Sequence, residues 1–112
     1  MSSTQSTMQV NITGDNMALT DPLQDHVHVQ LSKIEKKFPK ISNVHVILRL
    51  DKKFQHTAEA TMHLAGGKSG KIFADSTSKD MYTSINALFH KLEKQVLEHK
   101  QRMQDHDRDE HH

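Results

Sequence analysis

The chain has 112 residues, 34% of them hydrophobic and 26% charged, which fits one domain with a small core and excludes a chain too polar to fold. It contains no cysteine, which excludes a disulfide framework, a thiolate metal site and a cysteine nucleophile. No apolar run approaches the roughly 20 residues of a membrane helix and the leading MSSTQST has no apolar stretch of the signal-peptide kind, so a cytoplasmic protein with no membrane partner is expected.

Residues 1–7 read as a disordered lead. MQVNITG (8–14) alternates, with Val10 and Ile12 on one face and Gly14 at the end, and predicts a short strand. A helix follows, capped by Thr20 or Asp21, with Pro22 in its first turn. Its stripe is Leu23, Val27, Leu31, Ile34 and Phe38, and Pro39 stops it. NVHVILRL (43–50) predicts a second strand with Val44, Val46, Leu48 and Leu50 on one face. DKKFQ is a polar turn. HTAEATMHL (56–64) predicts a third strand, with Ala58, Ala60, Met62 and Leu64 on one face and Thr57, Glu59, Thr61 and His63 on the other. AGGKSG supplies three glycines for a hairpin, and KIFADS (71–76) is a fourth strand. Ser78 or Asp80 opens a last helix of about 25 residues. Its stripe is Ile85, Leu88, Leu92, Val96, His99 and Met103, and its end is long enough to project beyond a four-stranded sheet.

The order β-α-β-β-β-α predicts an α+β fold. The last three strands form an antiparallel meander, and the first reaches the second through a helix in a parallel, right-handed crossover. One apolar face per strand and one stripe per helix place both helices on one face of a four-stranded sheet. The other face, with His45, Arg49, Thr57, Glu59, Thr61 and His63, stays wet. The folded domain is expected over residues 8–104, followed by an acidic, His-rich tail at 105–112.

Catalytic chemistry is not assembled here. The chain lacks GxSxG, the P-loop and GxGxxG, so no catalytic residue is assigned and no enzyme is expected. Ten histidines raise the question of a metal. His26 and His28 are two apart on a helix and face different ways. His45 and His63 read as cross-strand polar residues, and DHDRDEHH as a solvated tail, so neither a metal nor another cofactor is assigned.

The cations are better organised. The tail holds four acids and one Arg, a net of −3, while the other 104 residues hold 14 Lys and Arg against 10 Asp and Glu, a net of +4. A mildly basic domain suits a polyanion. On the first helix Lys33, Lys36 and Lys40 face away from the apolar stripe, with Lys37 on its flank. On the last helix Lys91, Lys94 and Arg102 lie to one side of the seam, with Glu98 among them and Lys100 on the opposite flank. Spacing alone also fits two ordinary solvated helix faces.

This order of elements, with MQVNITG, LSKIEKKF, NVHVIL, ATMHL and DMYTSINALFHKLEKQ, resembles the bacterial ribosome hibernation promoting factor family, which includes protein Y, over about residues 8–104. Asp80-Met81-Tyr82, Ile85 and the run Lys91-Leu92-Glu93-Lys94-Gln95 are the most specific part of it. The resemblance implies a fold similar to the double-stranded RNA-binding domain and no enzymatic activity. It implies binding to the small ribosomal subunit and its ribosomal RNA at the decoding region, where messenger RNA and transfer RNA are blocked and translation is inhibited. The RNA-binding residues it implies are Lys33, Lys36, Lys37, Lys79, Lys91, Lys94 and Arg102; Gln30 and Glu98 stand where relatives often carry a cation. For a short member it implies a monomer off the ribosome that promotes ribosome pairing in stationary phase with ribosome modulation factor as a partner. Two alternatives stay open: opposition to pairing, as by protein Y, and a double-stranded-RNA module acting away from the ribosome. Tyr82 is expected to brace the helix start rather than to touch RNA.

Overall fold

The computed structural model describes residues 8–65 and 70–110, with side chains given as far as Gln101. The elements are β1 (Gln9–Asp15), α1 (Asp21–Lys37), β2 (Ile41–Asp51), a single 3-10 turn at Lys52–Phe54, β3 (Gln55–Leu64), β4 (Gly70–Ser78) and α2 (Met81–Glu110). The strands form one sheet in the order β1-β2-β3-β4, with β1 parallel to β2 and the other pairs antiparallel. Fold class and element order are those expected. Residues 1–7 and most of the Gly-rich hairpin, 66–69, lie outside the described residues. No helix is long and apolar enough to cross a membrane among the described residues.

Each element forms for a local reason. Thr20 caps α1, its hydroxyl accepting from the Leu23 N–H at 3.3 Å, and Pro22 sits in the first turn where no N–H is needed. The expected stripe Leu23, Val27, Leu31, Ile34 and Phe38 is buried throughout. β2 begins two residues before the expected position. A register shift between Ile41 and Asn43 lets Ile41 and Val44, three apart, both face inward, a bulge that strict alternation cannot display. Gly14 allows a close approach: a Cβ there would lie 2.7 Å from the Met17 carbonyl oxygen and 3.0 Å from the Leu19 side chain.

One core contains the inward residues of the sheet and both helix stripes. α2 lies on β3 and β4, where the inward positions include the small residues Ala58, Ala60 and Ala74, with Ala60 paired to Ala74. Alanine is a poor strand former, so its use here is a packing choice that lets the helix sit close to the sheet. The approach is close enough for the fully buried Ser84 to donate from Oγ to the His56 carbonyl at 2.6 Å; the same Oγ lies 2.7 Å from Ser78 Oγ. Asp80 caps α2, its carboxylate accepting from the Thr83 N–H at 2.9 Å and the Thr83 hydroxyl at 3.1 Å. Those hydrogen bonds, the backbone one first, hold the Asp80 carboxyl below the ordinary aspartate range.

The α2 seam is wider than the expected stripe. Met81 and Phe89 are buried beside Ile85, Leu88, Leu92 and Val96, because sheet and α1 cover two flanks of the helix. The backbone stays helical through Glu110, past Gln104 where the domain was expected to end and into the segment expected as a tail. At 1.5 Å per residue the helix is about 45 Å long. Among the described residues its last buried side chain is Val96.

The packing gives two opposed tests. Leu88→Ala should cost about 2–5 kcal/mol by opening a cavity. Ala60→Leu should cost about 1–3 kcal/mol by pushing α2 off the sheet. Denaturant titration measures both, and a neutral Ala60→Leu would mean that the alanines do not set the helix height.

The cap makes a pH test. Because the Asp80 carboxyl is depressed in the fold, its contribution is complete above the ordinary aspartate value and is lost as pH falls through the folded value. Asp80→Asn, which still caps, should therefore lose less stability than the parent between about pH 5 and about pH 3. Asp80→Ala should be destabilised at neutral pH. Thermal unfolding across that range checks the pair.

Candidate nucleic-acid interface

The two faces of the sheet treat charge differently. On the face away from the helices, Arg49 donates from Nε to Asp15 Oδ2 at 2.9 Å and from a terminal nitrogen to Glu59 Oε2 at 2.8 Å. These partners, Asp15 first, hold the guanidinium more firmly protonated. Nearby, the Thr57 hydroxyl contacts Asp51 and Thr77, and His45 hydrogen-bonds Thr13. His45 stands opposite Thr61, and His63 opposite Asn43, so the two histidines are not cross-strand partners. The central cation of this face is already matched by carboxylates.

Side-chain contacts hold the two helices in register. His26 donates from Nε2 to Asn86 Oδ1 at 2.7 Å, and its ring meets Tyr82 edge-on at 5.2 Å between centroids. Lys37 forms an ion pair with Glu93. Lys100 donates to the Lys37 carbonyl at 3.4 Å, satisfying one of the free carbonyls at the end of α1. Tyr82 thus braces α2 against α1, as expected, though it remains 39% exposed.

The expected RNA-binding cations separate into distinct groups. Lys33 and Lys36 are exposed on α1, and Lys94 is exposed on the crest of α2; none is in an ion pair among the described residues. Lys79 is exposed just ahead of the α2 cap. Lys37 is tied to Glu93. Lys91 turns to the free edge of β4 and donates to the Asp75 carbonyl at 2.7 Å, while Gln95 donates to the Phe73 carbonyl at 2.9 Å. These two α2 side chains cover an edge that would otherwise offer unpaired carbonyls to another strand. The Arg102 side chain lies outside the described residues, as does that of Met103. Geometry therefore brings Lys33, Lys36 and Lys94 onto one outward, helix-bearing side, and gives Lys37 and Lys91 structural work as well.

The turn between β2 and β3 falls at DKKFQ as expected, but its backbone was not legible in the sequence. Lys53 (φ 64°) and Phe54 (φ 57°) are successive left-handed residues, each costing about 1–3 kcal/mol for a side chain other than glycine. Phe54 is 80% exposed. Asn16 is also left-handed (φ 63°), a conformation asparagine tolerates, and donates from Nδ2 to the Leu50 carbonyl at 3.0 Å. A KKF triplet carries no signal for this backbone, which glycine or asparagine would have announced.

Comparison with known proteins fits this geometry. The chain matches, over residues 10–104, the family described as Sigma 54 modulation protein / S30EA ribosomal protein. It is 41% identical over 97 residues to the ribosome hibernation promoting factor of Pseudomonas putida, covering 87% of this chain and 91% of that one. With the factor of the same name from Escherichia coli it shares 38% identity over 99 residues, 88% of this chain and all of that one. Among solved structures, a ribosomal subunit interface protein from Coxiella burnetii superposes with a TM-score of 0.75 at 30% identity, over 83% of this chain and 98% of that one. The N-terminal domain of Thermus thermophilus protein Y gives a TM-score of 0.69 at 26% identity, over 80% and 96%. With an edge-capped four-stranded sheet, two clamped helices and relatives of this kind along nearly its whole length, the chain belongs to the Sigma 54 modulation protein / S30EA ribosomal protein family, alongside the ribosome hibernation promoting factors.

Proposed function

We propose that this protein acts in ribosome hibernation by laying its helix face on ribosomal RNA of the small subunit at the decoding region. There it blocks messenger RNA and transfer RNA and so inhibits translation. The observation that carries the reading is the division of charge. Among the described residues Lys33, Lys36 and Lys94 stand exposed without carboxylate partners on the helix side, whereas Arg49 on the opposite face is closed by Asp15 and Glu59. A polyanion gains most where cations are unmatched.

Lys33, Lys36 and Lys94 are the leading phosphate contacts, with Lys79 beside the α2 start. Lys37 and Lys91 flank them and reach phosphate only by giving up Glu93 and the Asp75 carbonyl, and Arg102 is a further candidate from the sequence pattern alone. The clamped helices set the spacing of the two lysine rows, so recognition rests on shape and phosphate rather than on a base code. The family's hibernation factors bind rather than catalyse. The site of action is the cytoplasm, the free protein is a monomer, and on the ribosome it promotes pairing together with ribosome modulation factor.

Binding to purified small subunits should weaken steeply with salt, since each phosphate contact releases counterions. Lys33→Gln, Lys36→Gln and Lys94→Gln should each reduce the log–log salt slope by about one while leaving stability within about 0.5 kcal/mol. Lys37→Gln should reduce it less. A flat salt dependence, or unfolding by the lysine changes, would remove the electrostatic account.

Sedimentation of stationary-phase ribosomes from cells with and without the gene tests the biological half. Loss of paired ribosomes without the gene is the expected result; more pairing without it would assign the protein to opposition instead.

A further inference from the structure

The turn at Lys52–Phe54 is used by neither the core nor the two lysine rows. Phe54 is the most exposed of the large hydrophobic side chains among the described residues. Phe73, the other exposed phenylalanine, is opposite Thr61, about 20 Å along β3 from Gln55 at the usual rise per residue. Two successive left-handed residues hold it outward. Strain retained at an exposed tip, where a glycine would relieve it, points toward function. Lys52 and Lys53 are exposed beside it and enter no ion pair among the described residues. The one adjacent acid, Asp51, accepts from the Thr57 hydroxyl at 3.2 Å.

The base of the turn is firm. Thr57 joins Asp51 to Thr77, and Asn16 holds the Leu50 carbonyl. The turn leaves the sheet at the end where α2 begins. His56 pairs with Ser78, so Lys79 and the start of α2 follow at the same end of the strands.

We propose that this turn is a second RNA contact, in which Phe54 stacks on an unpaired base while Lys52 and Lys53 hold the neighbouring phosphates. The inference rests on the RNA-binding reading above and adds a base-stacking element to it. An aromatic ring beside two successive cations matches a base within a phosphate chain, since stacking needs one ring face. An apolar protein surface needs contiguous area, and the other exposed phenylalanine lies far along the sheet. Because every base has such a face, the contact carries no sequence code and fixes where the RNA must be single-stranded or unpaired.

The test uses the full chain with purified small ribosomal subunits, and with heparin as a polyanion that has no bases. Phe54→Ala should weaken subunit binding about tenfold and leave heparin binding unchanged. Phe54→Leu, equally apolar but without a ring, should be as weak as Phe54→Ala. Phe54→Trp should keep the affinity, and its emission, unique in a chain with no other tryptophan, should be quenched on the subunit. Lys52→Gln with Lys53→Gln should lower the salt slope by about two. Unchanged thermal midpoints establish that these are binding effects. Parent-like affinity of Phe54→Ala, with Lys33→Gln and Lys36→Gln still weakened, overturns this inference and leaves the proposed function standing. Parent-like affinity of Phe54→Leu, or an equal loss on heparin, overturns stacking. Failure of the unmodified chain to bind subunits overturns both readings.

Discussion

The distance between α2 and the sheet governs the rest of this molecule. Ala58, Ala60 and Ala74 leave a shallow floor on β3 and β4, and the helix drops onto it until Ser84 meets the His56 carbonyl. At that height Asp80 closes the first turn, Lys91 and Gln95 reach the outer edge of β4, and Tyr82, Asn86 and Glu93 meet α1. A helix held higher by larger strand residues would lose the serine contact first and the edge contacts next. Core packing thus decides where the surface lysines stand, although no surface lysine enters the core.

The same lysines divide between holding the fold and facing outward. Lys100 and Lys91 donate to backbone carbonyls, and Lys37 to a carboxylate, each contact exposed and individually weak. They nevertheless fix the two helices and the sheet edge relative to each other. What remains unmatched is a smaller, better-placed set than the count of basic residues suggests. A net charge of +1 conceals this, because four of the fourteen acids fall in the last eight residues and three others are taken up by Arg49 and Lys37.

Local chemistry was legible in the chain and distant contacts were not. The α1 stripe could be read because five apolar residues at spacings of three and four need one surface, and Thr20 with Pro22 marked its start. The strand faces could be read because alternation reports a sheet covered on one side. Ser84 could not: a serine in a helix looks solvated until the carbonyl of His56, 28 residues earlier, is placed beneath it. Phe89 was missed because a second helix widens the buried arc. The partners of Lys37 and Lys91 lie 56 and 16 residues away, so spacing along one helix showed the direction of each cation and not its commitment. At the β2–β3 turn, the residue types give no hint of a left-handed backbone.

The parallel pairing of β1 has a consequence for synthesis. β1 leaves the ribosome first, yet its partner β2 ends at Asp51, after all of α1 has been made. At 5–20 residues per second β1 waits roughly 2–7 s with both edges unpaired. Only Val10 and Ile12 are strongly apolar within it, and Gln9, Asn11, Thr13 and Asp15 alternate with its inward positions. A nascent strand that polar and short offers little for another chain to template on. The weak hydrophobicity of β1, which leaves its inward side chains half-buried in the finished fold, is therefore also what lets it emerge alone without sticking to its neighbours.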